Sequence, residues 1–396
     1  MNSMISVLEA KKILQENTRP LLPKVVPLLQ ACGRVLANDI ISPINVPPFH
    51  QSSVDGYAFN YSDLSRYPQL SLSQEIPAGK SSDTALQSGE TARIFTGSPL
   101  PKGADTVIMQ EFVEVHDNKV YCKDQFLKIG ANVRPKGSQT KYGECALPKG
   151  IMLTPAAIGL LAGLGIAEAA IIPTPKIALI TTGNELVEPG KQLLPGQVFE
   201  SNSYSLQAAL GEMHIQLSAK ASVSDNESQT TECIREMLAD CDVLLLTGGV
   251  SVGDYDYVPQ ALANCGVQKI IHKIRQRPGK PFYFGMLGEK LVFGLPGNPS
   301  SVLTCFYRYV RPALYQLMAI QPSEPITLTF SLAKDYTKKS GLTYFLKGQV
   351  QDGLAVPLGA QESYQMNTYA RAECLIELDE MRTEYQAGEP VTVYLL

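Results

Sequence analysis

The chain has 396 residues, 44% hydrophobic and 18% charged, with a formal net charge of −4 and no long basic run. That balance excludes a disordered chain and argues against nucleic acid as a partner. No apolar stretch approaches the ~20 residues of a membrane helix, and the N-terminus lacks the apolar core of a secretion signal. Neither a membrane partner nor export is therefore expected. The eight cysteines are scattered, with no C-x-x-C pair, which disfavours zinc and a disulfide framework and fits a reducing cytoplasm.

In chain order, MNSMISVLEAKKILQEN reads as an amphipathic helix. Ser6 and Glu9 match the capping box, and Val7, Ala10 and Leu14 recur at helical spacing. A proline-rich region follows, and β-type segments fill 70–150, among them TARIFTG, DTVIMQEFVEV and NKVYCK. At 154–165, Thr154 is an N-cap, Pro155 suits the first helical position and Gly165 is a stop. This helix is expected to return the chain toward the N-terminal one. Residues 1–47 and 141–173 would then form one mixed domain, with 48–140 inserted as a β-rich domain.

Residues 174–320 alternate strand and helix patterns, from KIALITT through DVLLLTGG and KLVFGL to a long helix from Pro299 to about Ala319. The alternation predicts a three-layer α/β domain whose mostly parallel sheet carries helices on both faces. From 325 to 396, ITLTFSLAKDY, TYFLKGQV, AECLIELD and PVTVYLL are β-type segments without a helix between them. They predict a small C-terminal β domain, barrel-like, behind a linker at IQPSEP.

Four glycine-bearing loops follow strand patterns in the α/β part. TTGNELVEPG carries Thr182, Gly183 and Glu185. TGGVSVGDYDY carries Gly248, Gly249, Ser251, Asp254 and Asp256. RQRPGKPF carries Arg277 and Lys280. GLPGNPSS carries Pro296, Gly297, Asn298, Pro299 and Ser300 and opens the long helix. Ligands of such sheets sit beyond the C-terminal strand ends. The helix start at Asn298 would offer backbone N–H groups as a phosphate seat, Arg277 and Lys280 positive charge, and Glu185, Asp254 and Asp256 hard oxygens for Mg²⁺. One such loop is often only a turn, and Asp254 by itself could merely cap a helix; four loops with complementary charge describe a site for a metal-bridged phosphate ester. A second cluster, around Ser53 and Asp55 and around Thr96 and Gly97, sets small polar residues among rigid prolines. Either stretch alone could be a structural corner.

PPFHQSSVDGYAF, FTGSPLPKGADTVIMQE, ITTGNELVEPG, TGGVSVGDYDYV, RPGKPFYFG and GLPGNPSS, in this order, resemble the molybdopterin molybdenumtransferase family (MoeA and the gephyrin E domain) over nearly the whole chain. The resemblance implies an elongated homodimer that takes adenylylated molybdopterin and molybdate, inserts molybdenum with Mg²⁺, and releases AMP. It implies an active site shared between subunits, with Asp55 and Thr96 from the partner. Glu185 and Asp256 would organise Mg²⁺, and Arg277 and Lys280 would bind phosphate or molybdate. Pro296 and Pro299 would shape the loop at the helix start. A molybdopterin adenylyltransferase is a further partner it implies. Two departures stand out. The stretch after GANVRPKG has Gln139 where many members have a carboxylate nearby, and Leu342 and Lys347 stand where many have arginines. They leave open tungstate insertion or a binding role; an adenylyltransferase is disfavoured, since that fold needs only the α/β part.

Overall fold

The computed structural model describes residues 4–249, 257–323 and 326–396. The chain forms two compact units, one of residues 1–24 with 172–396, the other of residues 25–171.

In the larger unit, a six-stranded sheet is built from β1 (Ile177–Thr182), β2 (Leu217–Val223), β3 (Val243–Thr247), β4 (Gln268–Lys273), β5 (Pro281–Leu287) and β6 (Lys290–Leu295). Its order is β2-β1-β3-β6-β5-β4. The pairs β1–β2, β1–β3 and β3–β6 are parallel, whereas β5 runs antiparallel to both β6 and β4. The reversal follows from the two-residue link Gly288–Glu289, too short for a crossover helix; Gly288 takes the positive φ of 59° that such a tight turn requires.

The apolar runs are buried on both faces, in strict alternation. Ile177, Leu179, Val243, Leu245 and Phe293 enter one core with Leu206 and Leu210 of α1 (Asn202–Glu212). Ala178, Ile180, Leu244, Leu246 and Val292 enter the other with Ile234 and Leu238 of α2 (Glu227–Ala239) and Ala261 and Leu262 of α3 (Val258–Asn264). Period-two side-chain alternation, with helices over each face, makes the three-layer α/β domain. The N-terminal helix, Val7–Asn17, has the expected capping box. Its stripe of Val7, Ala10 and Leu14, however, packs into the first of these cores. The helix Pro155–Gly163 instead buries Ala157 and Leu161 with Leu28, Ala31 and Leu36 of the smaller unit. The expected pairing of the two helices is therefore corrected: amphipathic spacing says that a face is buried, not which core takes it.

The helical run after β6 is α4 (Pro299–Cys305), a π-helical turn over Phe306–Val310, and α5 (Arg311–Leu317), rather than one uninterrupted α-helix. The wide turn carries Arg308, fully buried, over the Tyr394 ring and to within 3.7 Å of Glu377.

The C-terminal residues form β7 (Thr327–Leu332), β8 (Thr343–Gln351), β9 (Leu354–Pro357), β10 (Cys374–Leu378) and β11 (Pro390–Leu395). The order β8-β9-β7-β11-β10 closes through β10 pairing with β8, giving a five-stranded barrel. Closure removes the sheet's free edges. The short strand Gln276–Arg277 of the α/β domain adds in parallel to β8, Arg277 opposite Tyr344.

In the smaller unit, a six-stranded sheet runs Thr106–Met109, Gly56–Phe59, Glu90–Ile94, Leu70–Ile76, Lys119–Cys122, Val113–His116. Tyr57, Phe59, Leu70, Ile108 and Val120 form its core. A three-stranded sheet of Lys24–Pro27, Glu168–Ile172 and Val35–Leu36 packs with the helix Pro155–Gly163. The whole is a mixed N-terminal region with a curled sheet, a central α/β domain and a C-terminal β-barrel.

Candidate functional site

The chain enters the α/β sheet at β1, builds β2 on one side and then β3 on the other, so the strand order reverses between β1 and β3. A crevice is expected where the connections diverge, beyond the C-terminal ends of these strands. There the structure opens a cleft of about 920 Å³. Its floor is three strand ends in contact. Thr182 Oγ1 donates to the Thr247 carbonyl at 3.3 Å, and Gly248 N donates to the Leu295 carbonyl at 3.2 Å. Gly248 has a φ of 86°, and a Cβ there would lie 2.6 Å from the Thr182 carbonyl oxygen. Only glycine permits both that conformation and that approach.

The walls collect most of the residues picked from the sequence. Thr182, Gly183, Glu185, Gly248, Gly249, Arg277, Lys280, Pro296, Gly297, Asn298 and Pro299 all line this cleft. Glu185 is exposed on the wall, its carboxylate folded back against Gly183, where a Cβ would meet Oε2 at 2.7 Å. Beside it, Asn184 and Asp225 exchange backbone-to-side-chain bonds of 3.1 and 3.2 Å. The Arg277–Lys280 turn is braced from below by the buried Gln276, whose Nε2 donates to the carbonyls of Pro278 at 3.0 Å and Gly279 at 3.2 Å. Tyr309 donates its hydroxyl to Gln276 Oε1. Arg277 and Lys280 are thus left exposed at the cleft on a fixed backbone, with the Arg277 guanidinium 5.5 Å from the centre of the Tyr344 ring.

The expected phosphate seat at the start of α4 is corrected. Pro299 has no N–H. Ser300 N donates to the Ser363 carbonyl at 3.1 Å, and Ser301 N and Val302 N both donate to the Asn298 carbonyl at 3.0 Å. The donors of this turn are already committed, and positive charge at the cleft comes from side chains instead. Ser300 is fully buried and off the cleft wall; Ser301 lines it. Asn298 makes no side-chain cap to its own helix and donates Nδ2 to Ser363 Oγ at 2.9 Å. Ser251, Asp254 and Asp256 lie outside the described residues.

Sequence reasoning missed part of the wall. Asn202, at the start of α1, is nearly buried and donates Nδ2 to the Gly297 carbonyl at 2.8 Å, tying that helix to the LPGNP loop. Glu200 is buried and accepts from Ser203 N at 2.8 Å. Glu362, Ser363 and Tyr364 come from the barrel, and Leu342 lines the cleft as well. The stretch LGAQESYQ follows the short apolar strand LAVP, but nothing in its own residues says that it turns toward the α/β domain.

In the smaller unit, Asp55 and Thr96 meet. Thr96 donates to Asp55 Oδ1 from both its backbone N–H and its hydroxyl, each at 2.8 Å. These bonds, backbone first, hold the Asp55 carboxyl below its ordinary range, with Arg93 adding to the effect. Gly97 N donates to the Ser52 carbonyl at 2.8 Å, and Ser53 Oγ to the Asn132 carbonyl at 3.0 Å, so two sequence-distant loops are stitched together.

Three family models cover nearly the whole chain, the first of them taking in the N-terminal helix that packs in the larger unit. The MoeA N-terminal region (domains I and II) matches residues 5–165, a probable molybdopterin-binding domain matches 178–316, and the MoeA C-terminal region (domain IV) matches 329–396. Two solved structures of the molybdopterin biosynthesis MoeA protein from Pyrococcus horikoshii superpose with TM-scores of 0.85 and 0.79. They are 30% and 29% identical and match over at least 99% of both chains. The fold is therefore the multidomain MoeA fold, and most of the cleft's lining falls in the probable molybdopterin-binding domain, with the C-terminal region supplying the rest. A molybdopterin molybdenumtransferase from Haemophilus influenzae is 34% identical over 96% of both chains, and molybdopterin molybdenumtransferase 2 from Mycobacterium tuberculosis is 33% identical over 99% of both. The chain belongs to the molybdopterin molybdenumtransferase family, a family of enzymes of molybdenum cofactor biosynthesis.

Proposed function

We propose that this enzyme takes adenylylated molybdopterin and molybdate, places molybdenum on the dithiolene, and releases AMP. The observation that carries the reading is the convergence on one cleft of three strand-end loops and a braced turn bearing two exposed cations. Arg277 and Lys280 would bind the phosphoanhydride or the molybdate oxyanion and offset charge as the anhydride bond breaks. Gly248 and Gly249 would let backbone approach the ligand where any Cβ would intrude. Gln276 would keep the two cations aimed, which matters because positioning supplies much of the rate in phosphoryl chemistry.

Mg²⁺ takes one or two carboxylates and keeps several waters, completing its shell with phosphate oxygens. The exposed Glu185 carboxylate on the wall fits that donor chemistry, and Asp256 is proposed as a second ligand. When bound, the ion would neutralise charge on the bridging phosphates. A homodimer is also proposed, on the resemblance to the family; a purely monomeric mass in light scattering at micromolar concentration would contradict it.

Glu185→Gln and Lys280→Met each remove charge with little change of volume. Each should lower Mg²⁺-dependent AMP release from adenylylated molybdopterin by about 100-fold or more, in line with loss of one oxyanion-stabilising group. Release at the wild-type rate in both variants would remove this cleft from the reaction.

A further inference from the structure

Lys347 lies on β8 and is 1% exposed. Its Nζ donates to three backbone carbonyls, Ala360 at 3.0 Å, Glu362 at 3.2 Å and Gln365 at 3.2 Å. An ammonium has three N–H donors and no acceptor. All three are used, so none is left for a phosphate or molybdate oxygen. The carbonyls belong to one loop, residues 358–365, between β9 and the short helix Met366–Tyr369.

The same loop is gripped from a second side. Gln361 accepts from Lys347 N at 2.9 Å and donates to the carbonyls of Lys347 at 2.9 Å and Leu358 at 2.8 Å. Beyond these grips, Glu362, Ser363 and Tyr364 reach the cleft wall. Ser363 there accepts from Ser300 N and from Asn298 Nδ2. Apart from Leu342, the barrel's contribution to the cleft therefore hangs on a loop whose interior is organised by one buried ammonium. Burial pulls the Lys347 pKa down, opposed by the charge of Glu362; the carbonyls replace some of the lost hydration.

We infer that Lys347 is a positioning residue: it fixes the 358–365 loop against the start of α4 and shapes the cleft without touching the reactants. This rests on the cleft being the active site, as proposed above. The position, where the family resemblance places an arginine in many members, here serves the scaffold.

The test uses the full chain. Lys347→Met keeps the length of the side chain and removes its donors; Gln361→Leu loosens the same loop from the other side. Amide exchange across 359–365 should quicken by about tenfold or more in each, with the barrel strands unchanged. KM for adenylylated molybdopterin should rise roughly tenfold, with kcat changed much less. The double variant should show less than the sum of the two effects, since both act through one loop. Lys347→Arg should recover part of the loss.

Lost turnover in Lys347→Met with loop exchange unchanged would overturn the inference, because Lys347 would then act on the reactants. Additive effects, or no change in either readout, would overturn it too. If Lys347→Met does not fold, Lys347→Arg and Gln361→Leu carry the same comparison. Loop exchange needs no turnover, so a wild-type protein that releases no AMP would count against the proposed function and leave the loop measurement decisive.

Discussion

Asp55 shows how much one contact determines. Two bonds from Thr96 favour its carboxylate form, so its folded pKa lies below the ordinary value. The sign follows from linkage. The contact contributes fully above the ordinary aspartate range and is lost as pH falls through the lowered value. Thr96→Val removes the hydroxyl bond; the Asp55 carboxyl carbon should then titrate at higher pH by NMR, and an unmoved titration would contradict the pairing. At Gly248, alanine would meet both a positive φ and the Thr182 carbonyl 2.6 Å away. Gly248→Ala should cost at least about 2 kcal/mol in denaturant unfolding; full stability would mean that the strand ends are not in contact as described. Asp55 and Thr96 stood out only as small polar residues among prolines, with no sign in the sequence that they meet. The strand-end glycines were legible because turn residues sat where apolar runs stop. Lys347 and Gln276 were not, since their roles arise from carbonyls or turns that only the folded chain brings to them.

The strands of the α/β domain were readable as elements because each is buried on both faces and so reads as a continuous apolar run. Leu245 of β3 is fully buried among Ile177, Leu179 and Phe293. Leu245→Ala should cost about 2–5 kcal/mol, measured as a shift in denaturant midpoint at constant slope; a change below 0.5 kcal/mol would contradict this packing. The start of α4 was legible as a helix but not as a committed one. Asn298 and Pro299 announce the turn, whereas the partner of Ser300 N comes from a loop more than sixty residues on that only the fold brings to it. The hairpin between β5 and β6 was readable as two strands; its antiparallel sense followed only from the shortness of the Gly288–Glu289 link.

For the molecule as a whole, the change of pattern near 320 separated α/β from all-β, and barrel closure through β8 and β10 came from the structure. The N-terminal helix was placed with the wrong core, since Val7, Ala10 and Leu14 carry no address. The cleft draws on the α/β domain and the barrel together, joined by the Gln276–Arg277 strand on β8, so the barrel should not be separable from activity. Chelation of Mg²⁺ should stop AMP release and leave the protein folded, lowering stability by no more than the binding linkage of the ion itself, because Glu185 is exposed and no core is uncovered when the ion leaves. Unfolding on chelation would instead make the ion structural. The most direct test is AMP release from adenylylated molybdopterin by the purified protein with Mg²⁺, with molybdate, with tungstate and with neither. Release that depends on molybdate and yields active cofactor is the predicted result; tight binding without release under either oxyanion would contradict catalysis and leave a binding protein in this fold.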